Sequence, residues 1–160
     1  RSITSKENNI INVKAISEEL GFVGTPYKIA VDALKNIVKA NEIPIIAPLG
    51  LNSENQVHNV NADDIATFVA SSLNARRLII ISDVVGVMDK DNNLISEINS
   101  TKVKEMIERG EISGGMQVKL SSTINIADKV KGTVIISGKK PRSLLFELLS
   151  DKGSGTLIRK

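Results

Sequence analysis

Apolar residues recur at helical spacing in two early stretches of the chain. Val31, Leu34, Ile37 and Val38 form one face, and Ile65, Ala66, Val69, Ala70 and Leu73 another. The spacing predicts amphipathic helices over about 31–40 and from about 62. Asn41 is a suitable stop for the first. Asn61 is a natural N-cap for the second, and Asp64, three residues on, outlines a capping box. Three more helices follow. One is capped by Ser100, carries Val103, Met106 and Ile107 inward, and ends at Gly110 as C′. The next carries Met116, Leu120, Ile124 and Ala127 inward. The last spans Ser143–Leu149.

Between them lie short apolar runs. Leu78–Ile81 and Thr133–Ser137 are continuous and β-branched, the pattern of strands buried on both faces of a parallel sheet. Ile43–Ala47 reads as a short buried strand, Leu94–Ile98 as another, and the tail from Asp151 turns into a last strand ending at Ile158. Leu20–Pro26, Asn52–Gln56 and Asp89–Asn93 read as turns. The opening, Arg1–Val13, is polar with an apolar patch at Ile10, Ile11 and Val13 and offers no opening strand. The alternation predicts a single α/β domain with a mostly parallel central sheet and helices on both faces.

Composition narrows the function classes. A length of 160 residues suits one domain. The absence of cysteine excludes disulfides, thiolate catalysis and Cys-ligated zinc, and a single histidine, His58, excludes a His-rich metal site. Aromatics are 2%, leaving few stacking surfaces for single-stranded nucleic acid, so the formal net charge of +3, scattered along the chain, is compatible with an anionic small ligand and is weak evidence for nucleic acid. No apolar run is long enough for a membrane span and no signal peptide opens the chain. The expectation is a cytoplasmic protein, or one of a plastid stroma or mitochondrial matrix.

Candidate chemistry gathers where strands end and helices begin, the places where open α/β sheets bind ligands. Capping accounts for Asn61 and Asp64 but leaves Asn59 and Asp63 at the same junction unexplained. Asp83-Val84-Val85-Gly86-Val87-Met88 follows the Leu78–Ile81 run. Farther on, Gly114 and Gly115 precede a helix and would let backbone approach a phosphate. Lys119 lies near that helix's first turn, where the dipole disfavours a cation unless an anion sits beside it.

These segments, in this order, resemble the C-terminal part of the N-acetylglutamate kinases, a branch of the amino acid kinase family. The resemblance rests on Leu20–Gly24, Ile43–Pro48, Asn59–Asp63, Ser82–Val87, Ile112–Lys119 and Glu147–Thr156. It implies a carbamate kinase-like three-layer sandwich, here partial, and transfer of the γ-phosphate of MgATP to the carboxylate of N-acetyl-L-glutamate. It implies that Asn59 and Asn61 contact the amino acid, that Asp63 holds the catalytic lysines, and that Lys119 stabilises the transferring phosphoryl group. Asp83, Val84, Val85, Gly86, Val87, Met88, Glu111, Ile112 and Ser113 would line the nucleotide. Mg²⁺ would arrive with ATP, with no metal site of the protein's own. Glu147 and Gly153 match the arginine-effector pattern, although Arg142 stands where histidine is more usual. The resemblance also makes residues 1–28 a remnant of the junction with an N-terminal lobe outside this chain, and implies homo-oligomers of the whole protein. A nucleotide- or arginine-binding regulatory module, or another amino acid kinase, are the rival readings.

Overall fold

The computed structural model describes residues 2–3, 10–151 and 153–160. Residues 4–9 of the polar opening and Lys152 of the tail lie outside the described residues. The chain divides into two compact units, residues 1–73 and 74–160. Among the described residues, no helix is long and apolar enough to cross a membrane.

In the first unit the strands are β1 (Ser2–Ile3), β2 (Ile11–Ala15), β3 (Gly24–Ile29), β4 (Ile45–Ile46), β5 (Leu49–Leu51) and β6 (Val57–Asn59). The helices are α1 (Val31–Lys39) and α2 (Ala62–Ser72). The sheet runs β3-β2-β5-β6, with β2 antiparallel to β3 and parallel to β5, and β5 antiparallel to β6. β1 pairs separately with β4, in parallel. Ile10, Ile11, Val13, Leu34, Val60 and Ile65 form the core, with Ile37, Val69 and Leu73 packed on it.

Local chemistry sets the helix ends. Asn61 Oδ1 accepts the Asp63 and Asp64 N–H groups at 2.8 and 3.2 Å, the expected cap of α2. Asn41, at φ 57°, ends α1 in a Schellman motif: its N–H reaches the Val38 carbonyl, and the Glu42 N–H reaches that of Ile37. Several expectations are corrected here. The patch at Ile10–Val13 opens a strand, because β2 gains a partner on each side. The turn expected over Leu20–Pro26 gives way to β3 from Gly24, with Pro26 beside a register shift in β2. Only Ile45–Ile46 of the 43–47 run is strand, and Ile43 and Ile45 are exposed, as is Val38 on α1.

The second unit contains β7 (Leu78–Ser82), β8 (Glu97–Asn99), α3 (Ser100–Glu108), α4 (Gly114–Ile124), β9 (Thr133–Ser137), α5 (Ser143–Leu149) and β10 (Thr156–Arg159). The sheet order is β7-β9-β10-β8. β9 runs parallel to β7 and antiparallel to β10, and β10 runs parallel to β8. The α/β class holds, and both four-stranded sheets are mixed. Ile80, Ile98, Ile135 and Ile158 from the strands meet Val103, Met106 and Leu120 from α3 and α4 in one core. At roughly 1.5–3 kcal/mol for each large apolar side chain buried, this layer dominates the unit's stability.

β9 is buried along its whole length, as its pattern predicts, whereas Ile81 of β7 is 56% exposed. A continuous apolar run therefore does not imply burial on both faces: Ile80 of the same strand lies in the core, and Ile81, on the opposite face, is exposed. The N-cap of α3 is Asn99, whose Oδ1 takes the Lys102 N–H at 2.7 Å, and Ser100 is the first helical residue. The strand expected over Leu94–Ile98 is shorter and shifted, to Glu97–Asn99. α5 buries Ser143 and Glu147 while Leu145, Phe146, Leu148 and Leu149 are exposed, so its polar side faces inward.

Candidate functional site

The nine residues expected around a nucleotide come together. Asp83, Val84, Val85, Gly86, Val87, Met88, Glu111, Ile112 and Ser113 line one cavity of about 500 Å³, with Met116 of α4 as a further wall. That volume falls in the range of small-molecule sites. Its lining is largely apolar at Val84, Val85, Val87, Ile112 and Met116, with polar groups at Asp83, Glu111 and Ser113.

Two local devices build the walls. The first wall leaves the C-terminal end of β7. Ser82 Oγ donates to Asp83 Oδ1 at 3.1 Å, and Gly86 adopts φ 149°, which favours glycine. The Ile95 N–H returns to the Val87 carbonyl at 2.9 Å. At the tip, Asp89 Oδ1 accepts the N–H groups of Asn93 and Asp91 at 2.8 and 2.9 Å, as turn chemistry predicts. The Asn93 amide holds the Asp89 carboxyl below its ordinary range.

The second wall is delivered by the end of α3. Gly110, at φ 71°, closes a Schellman motif: its N–H reaches the Ile107 carbonyl, and the Glu111 N–H that of Met106, both at 2.9 Å. The chain then turns into the cavity with Ile112 buried and Ser113 extended. Lys90 Nζ lies 3.3 Å from Glu111 Oε1 and ties the two walls.

The entrance to α4 carries the paired glycines. Gly114 has φ 60°, and a Cβ added at Gly114 or at Gly115 would meet nothing within 4 Å. Ser113 makes no capping hydrogen bond from its side chain. Lys119 is half-buried on α4. Since α4 begins at Gly114, Lys119 stands in the second turn, so the dipole argument made for it loses force: that effect fades beyond the first turn.

Asn59, Asn61 and Asp63 lie together in the first unit, where β6 leads into α2. The Asn59 N–H donates to the Phe22 carbonyl at 2.8 Å, and His58 beside it is buried edge-on against Phe22. Asn61 Oδ1 is engaged in the cap, and Asp63 is half-buried.

Glu147 and Gly153 share a larger cavity of about 720 Å³, lined also by Arg76, Arg77, Glu97, Asp151 and Arg159. The Glu147 carboxylate is 6% exposed. Its Oε1 accepts Arg77 Nη1 at 2.9 Å, and its Oε2 the Ser154 N–H at 3.2 Å. Sequence reasoning passed over Arg77, Lys90 and the cavity role of Met116. Arg77 and Lys90 carry no local pattern, and Met116 both packs against the core, as its spacing predicts, and lines the cavity.

Among the described residues, no group of three or more His, Cys, Asp or Glu is placed to hold a metal ion. The sequence pattern of the amino acid kinase family matches residues 2–137. An acetylglutamate kinase of Pelagibacter ubique is 56% identical over 161 residues, covering 100% of this chain and 56% of that protein. One of Campylobacter fetus is 39% identical, covering 98% of this chain and 57% of that protein. The chain thus spans about half the length of these curated relatives. An N-acetylglutamate synthase from Neisseria gonorrhoeae, solved with coenzyme A and L-arginine, superposes with a TM-score of 0.88 at 23% identity. It covers 99% of this chain and 37% of that one, a likeness of fold. A family pattern that runs through both units and takes in both cavity walls settles the assignment: this chain belongs to the amino acid kinase family.

Proposed function

We propose that this chain is the nucleotide-binding part of an enzyme that phosphorylates the side-chain carboxylate of N-acetyl-L-glutamate with ATP. The product is N-acetyl-L-glutamyl 5-phosphate, an acyl phosphate on the route to arginine. The observation that carries the reading is the joining of residues 83–88 and 111–113 around one cavity. Its apolar walls suit a purine, and Asp83, Glu111 and Ser113 suit ribose hydroxyls. The open backbone at Gly114 and Gly115 suits phosphate, since N–H groups at a helix start favour an anion.

Lys119 supplies positive charge where the phosphoryl group transfers, and Asp63 orients the cationic machinery. Such transfer needs positioning and charge more than a covalent helper. Mg²⁺ enters on the ATP phosphates. Asn59 and Asn61 contact the acetylated amino acid, Asn61 through its amide nitrogen, because its oxygen caps α2. The whole protein is read as a cytoplasmic homo-oligomer.

Calorimetric titration of MgADP and MgATP into this chain and its Lys119→Ala variant tests the reading. Saturable binding, weakened in the variant, is expected. Absence of binding would refute the nucleotide assignment for this chain. In the whole protein, Lys119→Ala lowers kcat more than it raises KM for ATP. Nucleotide binding without Mg²⁺-dependent transfer to N-acetylglutamate in the whole protein would mark a regulatory module instead.

The 720 Å³ cavity favours a second, additional role as an arginine effector site. Glu147 and Asp151 offer carboxylates to a guanidinium there. Arg77 already holds Glu147 Oε1, so free arginine shares or displaces that contact. L-arginine titration into wild type and Glu147→Gln checks this; equal binding by both removes Glu147 from the effector site.

A further inference from the structure

Thr156 is fully enclosed, at 0% exposure, the lowest of any polar residue among the described residues of the second unit. It lies on β10, 69 positions from Val87 of the Asp83–Met88 wall in sequence. Its hydroxyl nevertheless makes both of its bonds to that wall's excursion. Oγ1 accepts the Val87 N–H at 2.8 Å and donates to the Ile95 carbonyl at 2.6 Å. Val87 and Ile95 are also bonded to each other, through the Ile95 N–H and the Val87 carbonyl. One hydroxyl therefore closes the root of the loop from both of its arms, at Val87 and at Ile95. Gly86 packs on the same atom, and a Cβ there would stand 2.5 Å from Thr156 Oγ1.

We infer that Thr156 is a positioning residue for nucleotide binding: its hydroxyl clasps the 83–95 excursion to β10 and so sets the wall formed by residues 83–88. This rests on the nucleotide reading above. Thr156 does not line the cavity. Its action is through Val87 and Gly86, which do. Without the hydroxyl, the Val87 N–H and the Ile95 carbonyl lose a buried partner, and the excursion leaves its closed position to find water. Nucleotide affinity then falls by the fraction of molecules still closed. Serine supplies the same donor and acceptor; valine keeps the shape and supplies neither.

MgADP calorimetry and amide hydrogen exchange on wild type, Thr156→Val and Thr156→Ser form the test. Thr156→Val should bind MgADP about tenfold more weakly and exchange the Val87 amide faster, while Thr156→Ser stays within about twofold of wild type on both readouts. Wild-type affinity in Thr156→Val overturns the inference. So does equal loss in valine and serine variants, which would assign the role to packing. If wild type does not bind MgADP, the nucleotide reading itself fails. Exchange at Val87 then judges the clasp alone, and unchanged protection in Thr156→Val refutes it. Should Thr156→Val not fold, Thr156→Cys, with its weak thiol donor, carries the same comparison.

Discussion

Gly115→Ala separates what the fold needs from what a ligand needs. Gly115 is helical, has no positive φ, and an added Cβ meets no atom within 4 Å. The fold gives no reason for a glycine there, and a glycine within a helix costs about 0.5–1 kcal/mol relative to alanine. Alanine should therefore stabilise the 74–160 unit, by roughly 0.5 kcal/mol near a helix start, which raises its melting temperature by about 2–4 °C. If the open backbone receives a phosphate, the same methyl group stands in the path of approach. A loss of about 1.4 kcal/mol in binding is tenfold in Kd, and that is the expected scale for MgADP. The assay pairs a thermal melt with calorimetry on one preparation. A lower melting temperature would show that the surroundings are not open. A stabilised variant with wild-type affinity would remove Gly115 from the phosphate site and refute the glycine argument.

Other perturbations test the framework around the cavities. Gly86→Ala combines φ 149° with a Cβ 2.5 Å from Thr156 Oγ1 and 2.8 Å from Leu94 Cδ1. It should cost about 2 kcal/mol or more in denaturant unfolding, and a neutral result would mean that the excursion moves freely. Arg77→Ala strips Oε1 of a nearly buried Glu147 carboxylate. A loss of about 1–3 kcal/mol is expected, largely recovered when Glu147 is replaced by leucine as well; no recovery would mean that Arg77 acts by packing. The carboxyl of Asp89 is held below its ordinary value of 3.8, first by the Asn93 backbone N–H. Its contribution to the turn is present above that value and is lost as pH falls through the depressed pKa of the folded state. An NMR titration should place the Asp89 carboxyl midpoint below its ordinary value of 3.8, and a midpoint at or above that value would contradict the turn geometry.

Part of the cavity lined by residues 83–88 and 111–113 was legible in the chain because its parts are local. An apolar strand run ending in small and acidic residues marks the first wall. The second wall, Glu111–Ser113, follows from the family resemblance, and the chain's own pattern marks only the Gly110 helix stop before it and Gly114 and Gly115 after it. The caps at Asn61, Asn41 and Gly110 were legible for the same reason: they depend on residues a few positions apart. Asn99 was missed because Ser100 beside it is an equally good cap by composition, and only backbone geometry separates them.

Tertiary structure decided the rest, wherever the outcome depends on which distant segment becomes a neighbour. β10 inserts between β9 and β8, makes the sheet mixed, and brings Thr156 under Val87. Ile80 and Ile81 are adjacent isoleucines in one apolar strand run; Ile80 is buried in the core and Ile81 is not, because successive side chains leave a strand on opposite faces and the core lies on the Ile80 side. α5 reads as an apolar helix, yet it turns Glu147 inward because Arg77 and the Ser154 N–H are there to receive its carboxylate. Periodicity follows from the backbone's own repeat and can be read along the chain. Partnership across 70 residues leaves no local trace, and in this protein it determines which polar groups are buried and how the cavity wall is held.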